Sequence, residues 1–235
     1  MAVPRHVVDL LLKESAEHSC PGAPEVCVKV LAIANLPTRF GDYQVAAFWN
    51  DLDRKEHAAF IHGNVVDQEE VPVRLHSECL TGDAIGSLRC DCRDQLLESL
   101  ERIGKMESGI VLYLRQEGRG IGFVNKIRAY QLQDSGFDTV QANELLGFRA
   151  DERDYAIAAH MLSSLHVKSI RIMTNNPAKM KDLTDHGVQI VGRIPVIVPP
   201  NDHDRAYMAT KQAKLGHLLN LEQDDDLRES PDPAS

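Results

Sequence analysis

The sequence predicts an α/β protein built on a mixed β-sheet with flanking helices. Apolar and polar residues alternate in segments at 28–31, 43–48, 57–62 and 71–76, a pattern typical of half-buried strands. After residue 92 the apolar spacing becomes helical, and helices then alternate with short apolar strands. Strands that alternate with helices indicate parallel strand pairs, so we expect part of the sheet to be parallel.

The N-terminal segment is expected to lie outside the main domain. Residues 1–30 form an N-terminal extension with a short amphipathic helix around Val7–Lys13. No internal repeat and no linker divide residues 31–220, which indicates one domain. Residues 221–235 are acidic, contain two prolines and few apolar residues, and are predicted to be a disordered tail.

The second half of the chain predicts a regular order of elements. Leu96, Leu97, Leu100 and Ile103 recur at helical spacing, and Gly109 is expected to close this helix. The following elements are then predicted: a strand at 109–114, a glycine-rich loop at 115–122, a helix to about residue 134 with Gly136 as its stop, helices near 138–146 and 152–165, a strand at 169–174, a helix opened by Asn176 and Pro177, and a strand at 188–191.

Composition and charge exclude several classes of partner. The chain has 235 residues and a net charge of −9, which argues against a general nucleic-acid or membrane-surface binder. Residues 222–235 carry six acids and one base, so much of this charge lies in the tail. No run approaches the roughly 18 apolar residues of a membrane span. We therefore expect neither a nucleic-acid nor a membrane partner.

Three of the five cysteines, Cys79, Cys90 and Cys92, lie close together in the sequence. An odd number of cysteines without a secretory signal indicates a reducing cytoplasm, where Cys20 and Cys27 would be free thiols. Three thiolates at one place suit a zinc ion whose fourth position is left to water, as in catalytic zinc sites. The count therefore favours a hydrolase that uses metal-activated water.

Two other interpretations of the cysteines stay open. His76 lies just before Cys79 and would complete a closed, structural Cys₃His zinc site. Alternatively, the three thiols are buried without a metal, which requires them to cluster by coincidence. We favour the open zinc site over both.

Two segments are predicted to bind phosphate groups. Residues 115–128 combine three glycines with four bases and one acid, and glycines let backbone N–H groups approach an anion. Residues 174–179 end a strand and cap a helix, and they supply the Thr174 hydroxyl and the Lys179 cation. The alternatives are a solvated basic face and a simple helix cap. Together with an open zinc, the two segments indicate a hydrolysable polyphosphate substrate.

A dense and ordered set of motifs runs through the chain at Arg74–Asp83, Ser87–Cys92, Leu114–Arg119, Lys126–Tyr130, Asp138–Val140, Thr174–Pro177 and Lys214–Leu218. Together they resemble the GTP cyclohydrolase II family of riboflavin biosynthesis, in its monofunctional form. The resemblance covers about residues 31–220 and implies a GTP cyclohydrolase II-like fold, with these residues as the catalytic domain.

The resemblance implies roles for individual residues. The three clustered cysteines would hold one zinc ion per subunit, with water in the fourth position. Tyr130 would help to open the imidazole ring, Asp151 would accept a proton and Arg153 would be the nucleophile. The implied GTP site consists of Arg74, Leu75, His76, Ser77, Glu78, Gln95, Glu117, Gly118, Arg119, Thr139, Thr174 and Lys179.

The implied reaction converts GTP to 2,5-diamino-6-ribosylamino-4(3H)-pyrimidinone 5′-phosphate, formate and pyrophosphate. Zinc would activate water for attack on C8 of guanine, and Mg²⁺ would accompany the triphosphate. Arg153 is a poor nucleophile because a guanidinium has a pKa above about 12, so we expect it to stabilise phosphoryl charge instead. Asp151 has an alternative role as a helix N-cap two residues ahead of Arg153.

Two further functions compete with this one. The first is a related enzyme that stops at the formamidopyrimidine, against which the presence of Tyr130 argues. The second is a non-catalytic GTP-binding regulator with a structural zinc. The resemblance also implies a homodimer.

Overall fold

A seven-stranded mixed β-sheet runs through the computed structural model, which describes residues 2–18, 26–196 and 198. The strands are β1 (Val28–Thr38), β2 (Gly41–Asn50), β3 (His57–His62), β4 (Val71–Ser77), β5 (Gly109–Leu114), β6 (Ile170–Met173) and β7 (Ile190–Ile194). The helices are α1 (Arg5–Glu17), α2 (Leu80–Asp83), α3 (Cys92–Gly104), α4 (Gly122–Asp134), α5 (Thr139–Leu145), α6 (Ala156–Ser164) and α7 (Pro177–Asp185). The predicted α/β class with a mixed sheet is confirmed.

Four strands form the antiparallel half of the sheet, in the order β1-β2-β3-β5. β1 and β2 make a hairpin in which Thr38 pairs with Gly41. Gly41 has a φ of 126°, a backbone conformation that glycine adopts without a steric penalty. The Thr38 hydroxyl donates to the Gly41 carbonyl at 2.9 Å and closes the turn.

Strand β4 is the centre of the parallel half, with β5 on one side and β6 on the other. The chain leaves β4 through α3 to reach β5, and it later enters β6 on the opposite side through α6. In open α/β sheets, such a change of direction creates a crevice outside the carboxyl ends of the strands. The segments that follow β4, β5 and β6 therefore meet at one edge of the sheet.

Two predicted helix boundaries are wrong by several residues. α3 ends at Gly104, because Gly109 is already the first residue of β5 and pairs with His62. A Cβ added at Gly104 would lie 2.0 Å from the Phe40 carbonyl oxygen, so this end of α3 packs directly on the β1–β2 turn. α6 begins at Ala156 and not at 152, which leaves residues 151–155 outside any helix or strand.

Local capping signals are confirmed at two helix ends. α4 ends at Asp134, and Gly136 follows with a φ of 98°, as expected for a helix stop. Asn176 caps α7 by accepting a hydrogen bond from the Ala178 N–H at 3.0 Å, and Pro177 occupies the first helical position.

Helix α1 packs against the sheet. The predicted helix around Val7–Lys13 is present and extends over Arg5–Glu17. Val3, Val8 and Leu11 are buried in the same core cluster as the strands. β1 begins at Val28, before the predicted boundary at residue 30, and side chains from residues 2–18 are part of the core. The division of the chain at residue 30 stays a prediction.

One predicted thiol is not free. Cys27 is disulfide-bonded, so the prediction of a free thiol is wrong at this position. Cys20, the segment Lys214–Leu218 and the acidic tail at 221–235 lie outside the described residues. Within the described ranges, no helix combines the length and the apolar character that a membrane crossing requires.

The packing of α1 predicts that its two faces differ in their effect on stability. Leu11 is 2% exposed, whereas its neighbour Leu10 is 50% exposed. We expect Leu11→Ala to lower the free energy of unfolding by about 2–5 kcal/mol, because it leaves a cavity in the core. Leu10→Ala, the matched control, should change it by no more than about 0.5 kcal/mol. Urea denaturation measures both, and equal effects would contradict the packing of α1.

Candidate active site

A pocket opens at the edge of the sheet where β4, β5 and β6 end. It contains about 1150 Å³ of empty space, including its open mouth. Residues 77–79, 117–119 and 174–176 line it from the three strand ends, so both predicted phosphate-binding segments reach the same pocket.

The three clustered cysteines come together in this pocket. Cys79 lies immediately before α2, and Cys92 is the first residue of α3. The sulfur atoms of Cys79, Cys90 and Cys92 lie within 4.8 Å of one another. A Cβ at Gly82 would lie 3.0 Å from the Cys79 sulfur and 3.1 Å from the Cys90 sulfur, so this glycine leaves room for the cluster.

The protonation of these thiols fits a site for a cation. Hydrogen bonds from Cys90 and Cys92 lower the pKa of the Cys79 thiol. The same bond to Cys79 raises the pKa of Cys90 to about 11, and the pKa of Cys92 is also raised. The three thiols thus oppose one another's ionisation, and a positive ion bound among them would relieve this opposition. Thiolate donors favour zinc and other thiophilic metals.

His76 is oriented by a carboxylate and does not join the cysteine group. Its Nε2 lies 3.0 Å from both carboxylate oxygens of Asp83, which also accepts from the Tyr113 hydroxyl at 2.8 Å and the Cys79 N–H at 3.0 Å. Burial lowers the pKa of His76, so the neutral ring donates through Nε2. The closed Cys₃His interpretation therefore has no support in the geometry of the described residues.

Two buried nitrogen atoms beside the pocket lack partners. In the described part of the chain, His76 Nδ1 and Arg74 Nε are buried without a hydrogen bond. The Arg74 guanidinium is otherwise held by the Met173 carbonyl at 3.0 Å and the Gln95 side-chain oxygen at 2.5 Å. Unpartnered polar atoms are costly to bury, so a ligand is the natural partner for groups at this place.

Lys179 and Leu75 reach the site in different ways. The Leu75 side chain belongs to the hydrophobic core and does not line the pocket. Its carbonyl accepts a hydrogen bond from Lys179 Nζ at 3.1 Å. Leu75 therefore contributes its backbone, whereas Lys179 brings a buried cation to the pocket lining.

The loop after β5 has a strained backbone. Gly118, Arg119 and Gly120 have φ values of 63°, 59° and 95°. A left-handed conformation is unusual for a residue with a side chain, and such strain is concentrated at functional sites. Arg119 lines the pocket, whereas Arg115, which contributes to the basic charge of this segment, pairs with Glu78 at 3.0 Å and does not line it.

A buried ion pair links the same loop to the cysteines. Lys126 Nζ lies 2.8 Å from Glu117 Oε1 and 3.1 Å from the Cys79 sulfur. The Glu117 carboxylate also accepts from the Leu80 N–H at 2.7 Å. The loop after β5 and the loop after β4 are therefore joined by charged hydrogen bonds.

Asp151 and Arg153 form a close pair beside the pocket. Two nitrogens of the Arg153 side chain donate to the two carboxylate oxygens of Asp151, and the Arg153 backbone N–H donates to Asp151 at 3.1 Å. Burial would raise the pKa of Asp151, but the guanidinium lowers it below its usual value. α6 begins at residue 156, so the alternative role of Asp151 as its N-cap is wrong.

The structure brings nearly all predicted site residues together. All of them line the pocket except Leu75 and Asp151, and Asp151 is joined to the lining through Arg153. No individual role was predicted for several further lining residues: Arg89, Ile121, Lys126, Ala129, Gln133, Asn143, Asn175 and Asn176. Four of them lie in the segments predicted to bind phosphate, Ile121 and Lys126 in 115–128 and Asn175 and Asn176 in 174–179. Arg89 also had a signal in the sequence, since it precedes Cys90.

Two proteins match this chain over only part of their own length. A riboflavin biosynthesis protein RibBA of Synechocystis is 53% identical over 189 residues, which are 80% of this chain and 34% of that protein. A crystal structure of RibBX, a two-domain 3,4-dihydroxy-2-butanone 4-phosphate synthase from A. baumannii, matches 80% of this chain and 44% of its own, with a TM-score of 0.43 and 11% identity. The second likeness is too weak to bear on function.

A family model described as GTP cyclohydrolase II matches residues 29–195. A GTP cyclohydrolase-2 of Picrophilus torridus is 53% identical over 186 residues, covering 79% of this chain and 96% of that protein. A GTP cyclohydrolase-2 of Hahella chejuensis is 54% identical over 199 residues, covering 85% and 96%. The chain therefore belongs to the GTP cyclohydrolase II family, as its motifs predict, and is an enzyme of this type.

Proposed function

We propose that the chain hydrolyses GTP to 2,5-diamino-6-ribosylamino-4(3H)-pyrimidinone 5′-phosphate, formate and pyrophosphate, the first step of riboflavin biosynthesis. One observation carries this proposal: the three cysteine thiols share a pocket with both segments predicted to bind phosphate. The reaction needs a metal near the base and cations near the triphosphate of the same molecule. Membership of the family supports the same activity.

The metal in this proposal is one zinc ion per subunit, held by Cys79, Cys90 and Cys92. The all-thiolate donor set supports zinc, and three protein ligands leave the fourth position open. When bound, zinc supplies a Lewis acid that lowers the pKa of water from about 15.7 towards about 7. Among the described residues, the ligand atoms that gather at this place are the three cysteine sulfurs, and His76 is not one of the group.

Tyr130 is the proposed proton donor for opening the imidazole ring. Burial raises the pKa of its phenol, so the hydroxyl stays protonated at neutral pH. The hydroxyl lies 3.3 Å from the Thr81 hydroxyl, which in turn lies 3.7 Å from the Cys79 sulfur. A phenol linked to the cysteine site through Thr81 can deliver a proton to a guanine base bound beside the cysteines.

The proposed GTP site spans the strand ends. Arg119 and Lys179 supply cations for the triphosphate, Thr174 supplies a hydroxyl, and Mg²⁺ accompanies the phosphates through its own waters. The remaining proposed contacts are Arg74, Leu75 through its backbone, His76, Ser77, Glu78, Gln95, Glu117, Gly118 and Thr139.

Asp151 and Arg153 are the proposed pair for release of pyrophosphate. The bidentate contact fixes the plane of the guanidinium and keeps Asp151 ionised. A guanidinium held in this way is suited to stabilise negative charge that develops on the phosphate. In this step a water molecule attacks the α-phosphorus as the pyrophosphate oxygen leaves, and Asp151 orients Arg153 and accepts the proton that the water loses.

The chain is further proposed to act as a cytoplasmic homodimer, without nucleic-acid or membrane partners. α4 presents the exposed apolar side chains of Phe123, Val124 and Ile127, which is a surface suited to a second copy of the chain. The net charge of −9 supports the absence of nucleic-acid and membrane-surface partners.

The two competing functions are not favoured. Tyr130 is present and lines the pocket, as a complete ring hydrolysis requires. A regulator with a structural zinc would need His76 among the ligands, and His76 does not belong to the group of ligand atoms that the three cysteines form in the described residues.

Product analysis tests the proposed reaction directly. Purified protein with GTP and Mg²⁺ should release formate and pyrophosphate in equal amounts, measured by coupled assays. Pyrophosphate without formate would favour the enzyme that stops at the formamidopyrimidine. GTP binding without either product would favour the regulator.

Removal of one thiol should separate the two hydrolytic steps. We expect Cys90→Ser to lose at least 100-fold in formate release, because zinc-activated water serves only the ring chemistry, and to keep pyrophosphate release. The matched comparison is wild-type protein that has been stripped of metal by a chelator and then supplied with Mg²⁺. It should likewise lose formate release and keep pyrophosphate release. Equal loss of both products in Cys90→Ser would contradict this division.

Arg153 should act through its charge. We expect Arg153→Gln to slow pyrophosphate release by about 100–1,000-fold, the usual effect of removing a donor to a developing oxyanion. Arg149→Gln is the control, since Arg149 is exposed and pairs with Glu152 at 2.6 Å. Intact-protein mass spectrometry should detect no guanylyl adduct during turnover, and an adduct on Arg153 would instead establish it as the nucleophile.

A further inference from the structure

We propose that Lys126 is a positioning residue of the metal site, whose ammonium group holds the Cys79 thiolate and tunes its bond to the metal. This inference rests on the proposed zinc at the three cysteines. It gives Lys126, which the sequence offers only as one of the bases of segment 115–128, an individual role in contact with a metal ligand.

The position of the ammonium is the first support. Lys126 is only 7% exposed, and its Nζ lies 3.1 Å from the Cys79 sulfur. A buried lysine is costly unless its charge is paired, so the contact is one of two interactions that hold it there. The thiolate of Cys79 is therefore shared between the ammonium and any metal bound by the three sulfurs.

Glu117 fixes the ammonium at this sulfur. Glu117 Oε1 accepts from Lys126 Nζ at 2.8 Å and from the Gly118 N–H at 2.8 Å, and Oε2 accepts from the Leu80 N–H at 2.7 Å. Leu80 follows Cys79 directly, so the carboxylate ties the lysine to the backbone of the cysteine loop. The geometry at Cys79 thus depends on three charged hydrogen bonds rather than on one flexible side chain.

The electrostatics of the cluster agree with this arrangement. The Glu117 carboxylate lies 2.8 Å from the Lys126 ammonium and balances its charge at this buried place. A charge-assisted N–H···S bond draws electron density from the thiolate, and a metal bound to that sulfur keeps more of its Lewis acidity. Outer partners of metal ligands commonly set affinity and reactivity in this way.

Lys126 also lies next to the proposed proton donor. It precedes Tyr130 by one turn of α4, and its Nζ lies 5.7 Å from the centre of the tyrosine ring. Substitution of Lys126 should therefore report on the metal and on the environment of the phenol together, whereas a residue with only a packing role would affect neither.

The test uses cobalt and zinc binding by the full chain. In Lys126→Met, which lacks both charge and donor, we expect zinc affinity to fall about 10–100-fold in competition with a chelator, because the Cys79 sulfur loses the group that holds it in place and favours its thiolate form. The thiolate-to-cobalt charge-transfer band of the Co²⁺ form should move to longer wavelength, because the sulfur lone pairs are no longer stabilised. Lys126→Gln, which keeps a donor without the charge, should lie between Lys126→Met and wild type.

Two further variants keep the test interpretable. The double variant Lys126→Met/Glu117→Gln removes the unpaired carboxylate that could unfold Lys126→Met, and it should show the same shift of the band. Lys13→Met alters an exposed lysine of α1 and should match wild type in both measurements.

The outcomes separate this inference from the proposed function. If wild type shows the thiolate-to-cobalt band and folded Lys126→Met has the same band and affinity, the role of Lys126 is overturned and the metal site stands. If wild type shows no such band, the proposed metal site fails and the role of Lys126 fails with it.

Discussion

The position of β4 between β5 and β6 is the constraint on which the site depends. Because the three strands are parallel, their carboxyl ends lie at one edge, and each is followed by a segment that carries chemistry. The first brings Cys79, the second Arg119 and the third Thr174. These residues come from distant parts of the chain and meet because β5 and β6 lie on opposite sides of β4.

Buried charges keep this edge organised before any ligand binds. Lys126 pairs with Glu117 and Arg153 pairs with Asp151, while the neutral His76 ring donates to Asp83, so the side chains around the pocket are held in place. Buried ion pairs add little net stability, because desolvation offsets much of their attraction. Their value here is positional, since groups already held in place need no reorganisation when charge develops on a substrate.

Much of the fold could be predicted from the sequence, because strand alternation and capping are local signals. Asn176 and Pro177 marked the start of α7, and Gly136 marked the end of α4. The end of α3 could not be predicted, since it depends on the close approach of Phe40 to Gly104 across the sheet. The role of Asp151 also differed from the helix cap that its position suggested, because α6 begins only at Ala156 and the Asp151 carboxylate binds the Arg153 side chain.

The sequence by itself determined the family, the cysteine triplet and the residue types at the site, because each is carried by short ordered motifs. Only the tertiary structure decided where those side chains lie and which groups they contact. It placed the Leu75 side chain in the core and turned His76 towards Asp83. It also brought Lys126 onto Cys79, a contact between residues 47 positions apart. Spacing along the chain encodes local geometry, whereas contacts of this kind arise only when the sheet folds and its edge closes.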